Sequence, residues 1–102
     1  MTAWTKTRPE VGGFAQVEHA VPSPGAGEVL IKTQSTSVCG TDIHIWKWDE
    51  WSRDNVPLGT VTGHETSGTV VAVGEGVSTH SVGDLIAVEC HLACWNCPRC
   101  EE

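Results

Sequence analysis

Five cysteines and five histidines hold most of the chemistry this sequence offers. Cys94-Trp95-Asn96-Cys97-Pro98-Arg99-Cys100 carries two overlapping Cys-x-x-Cys pairs. That spacing lets thiolates wrap one tetrahedral ion at short range, as structural zinc requires. A closed site wants four ligands, and Cys90 or His91 is the candidate for the fourth within the chain. An iron–sulfur cluster can begin with the same spacing, but no Cys-Pro follows Cys100, which favours zinc. The odd cysteine count fits a disulfide framework poorly, although disulfide-linked or idle thiols stay open as alternatives.

A second group is Cys39-Gly40-Thr41-Asp42-Ile43-His44. A thiol leaving a strand at a Gly turn sits at a sheet end, and thiolate is a strong zinc ligand. The Thr41 hydroxyl and the His44 imidazole stand close enough in sequence to pass a proton from a buried site to water. The plain alternative is a buried thiol and a surface histidine at a helix start. A third group is Gly63-His64-Glu65-Thr66-Ser67-Gly68. His64 and Glu65 point to opposite faces on a strand, yet at a bend both can approach one ion. Taken alone, the pair also reads as two solvated side chains.

The elements that must position these groups are short. Gln16–Val21 is expected as a strand, after a polar stretch broken at Gly12-Gly13. Val21-Pro22-Ser23-Pro24-Gly25-Ala26-Gly27 is a loop. Residues 28–38 run apolar, then β-branched and hydroxylated, and predict a strand. Asp42 is a candidate N-cap for a short helix over Ile43–Trp48. Residues 49–60 read as polar and irregular around Pro57 and Gly59. Strands are expected over Thr66–Gly74 and Asp84–Glu89, with turns at Gly74-Glu75-Gly76 and Ser81-Val82-Gly83-Asp84. Gly74-Glu75-Gly76 mimics the start of a dinucleotide fingerprint, but Thr79 stands where the third glycine should be. Trp46, Trp48 and Trp51 fall on no single helical stripe. They read either as packing or as part of a substrate mouth, on a segment that is mobile or packed against a neighbour.

Composition narrows the function classes. The chain has 102 residues, 39% of them hydrophobic, enough for one small domain. Six scattered basic residues and a net charge of −7 argue against nucleic acid as a partner. No apolar run is long enough to span a membrane. The N-terminus lacks an apolar signal core, so a cytoplasmic protein is expected. Eleven glycines and five prolines demand frequent turns, which favours a mainly β antiparallel sandwich or barrel.

Taken together and in order, the Cys-Gly-Thr-Asp-x-His group, Gly-His-Glu, Val82-Gly83-Asp84 and the cysteine lobe resemble the catalytic domain of zinc-dependent medium-chain alcohol dehydrogenases. The stretch from Cys39 to Trp51, with its His-Ile-aromatic-x-Trp-x-Glu-Trp tail, is most similar to the threonine-dehydrogenase branch of that family. The resemblance covers about residues 28–100. It implies a GroES-like, partly open β-barrel with a C-terminal cysteine-rich lobe. It also implies that Cys39 and His64 are catalytic-zinc ligands and that Glu65 sits at that metal or exchanges with its water. Asp42 becomes the acid that orients the ligand histidine. Thr41 and His44 become the proton relay. Cys94, Cys97 and Cys100 become three of four structural-zinc cysteines, and Cys90 stands where these enzymes usually carry another residue.

The same resemblance implies further ligands and a nucleotide-binding Rossmann domain beyond Glu102. Residues 1–102 are therefore expected to be a single truncated domain, without hydride transfer of their own. NAD would belong to the full-length parent, which would oxidise a small alcohol or amino acid such as threonine. The contrasting expectation is a stand-alone zinc-binding or interaction module. Exposed apolar edges make self-association a further expectation.

Overall fold

The computed structural model describes residues 1–101. Thr2–Lys6 (β1) pairs antiparallel with Phe14–Glu18 (β2), with Thr2 opposite Glu18 and Lys6 opposite Phe14. Sequence reading gives no strand before Gln16 and extends the second one to Val21. The correction has a local cause. Gly12 and Gly13, read as breakers, adopt φ of 72° and 63° and serve the loop that brings β1 and β2 together. A side chain at Gly13 would crowd the carbonyls of Arg8 and Glu10.

Val29–Ser37 forms β3, as its β-branched and hydroxylated residues suggest. Helix α1 (Gly40–Lys47) follows. Its N-cap is Cys39, three residues earlier than the expected Asp42. Asp42 instead occupies the third helical position, where its carboxylate accepts from the Cys39 N–H at 3.0 Å and its own N–H donates to the Cys39 carbonyl at 3.0 Å. That reciprocal pair starts the helix at Gly40. The stretch expected to be irregular contains a second helix, α2 (Glu50–Asn55). Asp49 caps it by accepting from the Ser52 N–H at 2.9 Å, and Pro57 lies just beyond its end.

Glu65–Val73 (β4) pairs with β3 on one side and with Leu85–Ala87 (β5) on the other, all antiparallel. β5 is shorter than expected. The Asp84 carboxylate is spent on the turn, accepting from the Ser81 N–H at 2.9 Å, and Val88 and Glu89 lie past the strand's end, just before the bend at Cys90. α3 (Pro98–Glu101) closes the described chain. The expected break at Glu102 lies outside it.

The β1–β2 hairpin docks on the rest through backbone bonds. Lys6 donates to the Thr60 carbonyl at 3.0 Å, Thr62 to that of Trp4 at 3.0 Å, and Gly12 to that of Trp46 at 2.8 Å. The result is a mainly β, partly open arrangement of two small sheets with the cysteine lobe at its C-terminal edge. Its buried centre is thin. Among the described residues, Val70 and Ile45 are the buried apolar side chains, and Thr5, Lys6 and Ser52 are the buried polar ones. The Lys6 ammonium donates to the carbonyls of Glu10 and Gly12, at 2.6 Å each, and sits 4.7 Å from the Trp48 ring and 5.1 Å from the Phe14 ring. Burial holds its pKa below the ordinary lysine value. Trp48 itself ends α1 in the left-handed conformation, φ 56°, an uncommon choice for an aromatic residue.

Candidate metal centres

The β3–β4 register builds the first centre. Ser37 at the end of β3 pairs with Glu65 at the start of β4. Cys39, two residues beyond one strand, and His64, one residue before the other, are thereby brought to the same end of the sheet. The ligand atoms of Cys39, His64 and Glu65 all lie within 4.8 Å of one another, and all three residues are half-buried. Thiolate, imidazole and carboxylate in such a cluster form a donor set suited to zinc.

Several supporting contacts surround it. The Cys39 Sγ lies 3.9 Å from the Thr41 Oγ1. Ser37 donates through its hydroxyl to the Glu65 carboxylate at 2.5 Å, and the Thr36 hydroxyl donates to the Glu65 carbonyl at 3.1 Å. One Asp42 oxygen holds the Cys39 N–H, while the other, Oδ1, is buried without a hydrogen-bond partner among the described residues. A buried carboxylate oxygen without a donor is an acceptor in waiting for a polar hydrogen at the site. His44 is exposed, and its Nδ1 lies 2.5 Å from the Asp49 Oδ2. Beside α1 opens a cavity of about 450 Å³ walled by Trp4, Phe14, Val38, Asp42, Ile43 and Trp46. Trp46 and Trp51 are each about half exposed.

The second centre lies in the cysteine lobe. Cys94, Cys97 and Cys100 bring their sulfurs within 4.8 Å of one another, with 3.4 Å between those of Cys97 and Cys100 and 3.6 Å between those of Cys94 and Cys100. The thiol of Cys97, then the Trp95 N–H, hold the Cys100 pKa down to about 7. A thiolate, the form that binds metal, is therefore accessible there near neutral pH. Cys90 is not gathered into this trio. It groups with Glu89 and His91, all three exposed. Desolvation, then the Glu89 and Glu65 carboxylates, push the Cys90 thiol above its ordinary pKa. All five cysteines are free thiols.

Sequence reasoning missed Ser37 and Asp49. Ser37 was legible in principle as a hydroxyl at the end of the expected strand, two residues before Cys39. Asp49 was legible as Asp-x-x-Ser at a helix start.

Known proteins share this plan. A family model for the alcohol dehydrogenase GroES-like domain matches residues 25–102. The L-threonine 3-dehydrogenase of Pyrococcus furiosus is 48% identical over 101 residues, covering 99% of this chain and 29% of the relative. That of Sinorhizobium medicae is 43% identical over 100 residues, covering 98% and 29%. The chain thus spans about 29% of the length of these curated relatives. Among solved structures, the apo form of a zinc dependent alcohol dehydrogenase 2 from Streptococcus pneumonia superposes with a TM-score of 0.86 at 36% identity, over 99% of this chain and 28% of that one. A cobalt and zinc bound thermostable alcohol dehydrogenase from Pyrobaculum aerophilum gives 0.84 at 30% identity, over 99% and 30%. The match from residue 25 onward takes in β3, β4, β5 and every residue of both cysteine-containing centres, and on it this chain belongs to the alcohol dehydrogenase GroES-like domain family.

Proposed function

We propose that this chain is the metal-holding, N-terminal catalytic portion of a zinc- and NAD-dependent dehydrogenase acting on a secondary alcohol, with threonine the favoured substrate. The observation that carries the reading is the convergence of Cys39, His64 and Glu65 at one sheet end. The threonine-dehydrogenase relatives support the substrate. Cys39, His64 and Glu65 would hold the catalytic ion, and Cys94, Cys97 and Cys100 the structural one. When bound, zinc supplies Lewis acidity toward an alcohol oxygen, and NAD a hydride acceptor.

The chain's own residues then have separate tasks. Asp42 anchors the Cys39 backbone through one oxygen, and the other, buried and without a partner among the described residues, would accept from the His64 ring N–H and so orient it. Ser37 restrains the Glu65 carboxylate. Thr41, beside the Cys39 sulfur, would accept the proton of a substrate hydroxyl and pass it to His44, one helical turn on. Asp49 orients the His44 ring at the exposed end of that path. The apolar cavity beside α1 supports binding of a small organic substrate.

A rival reading is a metal-binding module without turnover. It is favoured by the strand pairs among the described residues, all antiparallel, which leave no parallel βαβ unit there for a dinucleotide. Residues 1–102 as one domain and a reducing, cytoplasmic setting for its free thiols complete the proposal. No helix among the described residues is long and apolar enough to cross a membrane.

Zinc titration tests the reading. Cys39→Ser and His64→Ala should each remove the same equivalent of metal, and Asp42→Ala should weaken it about 10–100-fold. Wild-type stoichiometry and affinity in both ligand variants would defeat it. Purified residues 1–102 given L-threonine and NAD should form no NADH. Measurable NADH would mean that the chain turns over unaided.

A further inference from the structure

Glu89, Cys90 and His91 follow β5 outside any helix or strand, with a bend at Cys90. Three consecutive side chains cannot face one point on a straight strand, because neighbours alternate. The bend removes that restriction. Glu89 Oε1 lies 2.5 Å from the His91 Nδ1 and 3.7 Å from the Cys90 Sγ, and it accepts from the His91 backbone N–H at 3.2 Å. The Cys90 Sγ lies 3.8 Å from the His91 Nδ1. The root of the segment is fixed, since Val88 donates its N–H to the Thr66 carbonyl on β4 at 2.9 Å.

We propose that Glu89, Cys90 and His91 form a third metal site, for a zinc-class divalent cation, distinct from both centres described above. Bond geometry supports this. With metal–sulfur bonds near 2.3 Å and metal–nitrogen or metal–oxygen bonds near 2.0 Å, a tetrahedral edge from sulfur to nitrogen or oxygen is about 3.5 Å. The two edges from Cys90, 3.7 and 3.8 Å, are within a few tenths of an ångström of that length. The Glu89–His91 edge is a hydrogen bond whose proton occupies the cation's place. It opens by a little under about 1 Å when an ion replaces the proton. A sulfur, nitrogen and oxygen set selects zinc-like ions over magnesium or calcium, which prefer oxygen alone. The charge also suits a cation. Glu89 and Cys90 share with Glu65 the wall of a cavity of about 440 Å³ whose lining residues include hydroxyls but no lysine or arginine. The exposure of all three residues leaves the fourth position to water.

Cobalt(II) is the probe, because a thiolate ligand gives it a charge-transfer absorption. The chain and the variants Glu89→Ala, Cys90→Ser and His91→Ala are titrated in parallel. Each variant should lose one and the same equivalent of cobalt, with the equivalents at the other centres retained. A loss in Cys90→Ser that His91→Ala and Glu89→Ala do not share would assign Cys90 to the three-cysteine cluster and overturn the proposal. Unchanged stoichiometry in all three variants would overturn it too. Zinc added to the wild-type chain should shift the His91 ring resonances in NMR spectra, and an unmoved ring would refute the site without recourse to any variant.

Discussion

The Asp49 carboxylate accepts from the Ser52 N–H through Oδ1 and meets the His44 Nδ1 through Oδ2. The Ser52 N–H first, and the His44 ring after it, hold its pKa below the ordinary 3.8. A carboxylate depressed in the folded state adds stability above its unfolded value, and that stability is lost as pH falls through the folded one. The α1–α2 corner should therefore loosen only as pH drops below 3.8. Tryptophan emission from Trp48 and Trp51, followed through an acid titration, reads that loosening. Asp49→Asn can still cap α2 but cannot titrate, so its curve should lose this component. A variant curve superimposable on wild type would mean that Asp49 does not link the two helices.

Two elements, β3 and β4, place the first centre, and their pairing rests on close backbone contact. Gly68 sits opposite Thr33, where the ladder shifts register, and a side chain there would collide with the Lys32 carbonyl. Gly68→Ala is expected to cost roughly 1–3 kcal/mol through overpacking. It should also loosen metal at Cys39 and His64, because a strained ladder moves the strand ends that carry them. Val70, fully buried on the same strand, should cost about 2 kcal/mol as Val70→Ala. Thermal unfolding measures both losses, and metal retention at the Cys39 centre separates a register effect from simple destabilisation. The strands from residue 28 onward were legible because β-branched runs and turn residues state them locally. β1 was not, since Thr2–Lys6 carries no such run and becomes a strand only through its partner across the Gly12-Gly13 loop. α2 was hidden by Pro57 and Gly59, which lie beyond its end rather than within it. The candidate ligands were legible as a set because three motifs occur in order. The grouping of Cys90 with Glu89 and His91 was not, because it depends on a bend that spacing does not encode.

At the scale of the whole molecule, exposed surface is the dominant fact. The chain exposes 7450 Å², against roughly 5,600 Å² expected for a compact monomer of its mass. Its radius of gyration is 15.6 Å, where about 13 Å is usual for this length. Val38, Val82, Leu85, Leu92 and Trp95 are among the large apolar side chains left in water. Surface of this kind drives association when nothing else covers it. Sedimentation velocity over a concentration series should show the average mass of the isolated chain rising with concentration. A monomer at every concentration would argue that these side chains are tolerated singly.

Lys6 carries a consequence for where this unit can be cut. Its ammonium joins the Gly12 loop to the Trp48 ring, and Gly12 in turn binds the Trp46 carbonyl, so the hairpin seats the C-terminal end of the helix whose N-cap is Cys39. The family match begins at residue 25, beyond both strands of that hairpin. A clone trimmed to residues 25–102 would keep every candidate ligand and lose the clamp on α1. Its candidate donors would be present in composition yet poorly aimed, so the first strand and its hairpin, ahead of the recognisable motifs, help to hold them in place.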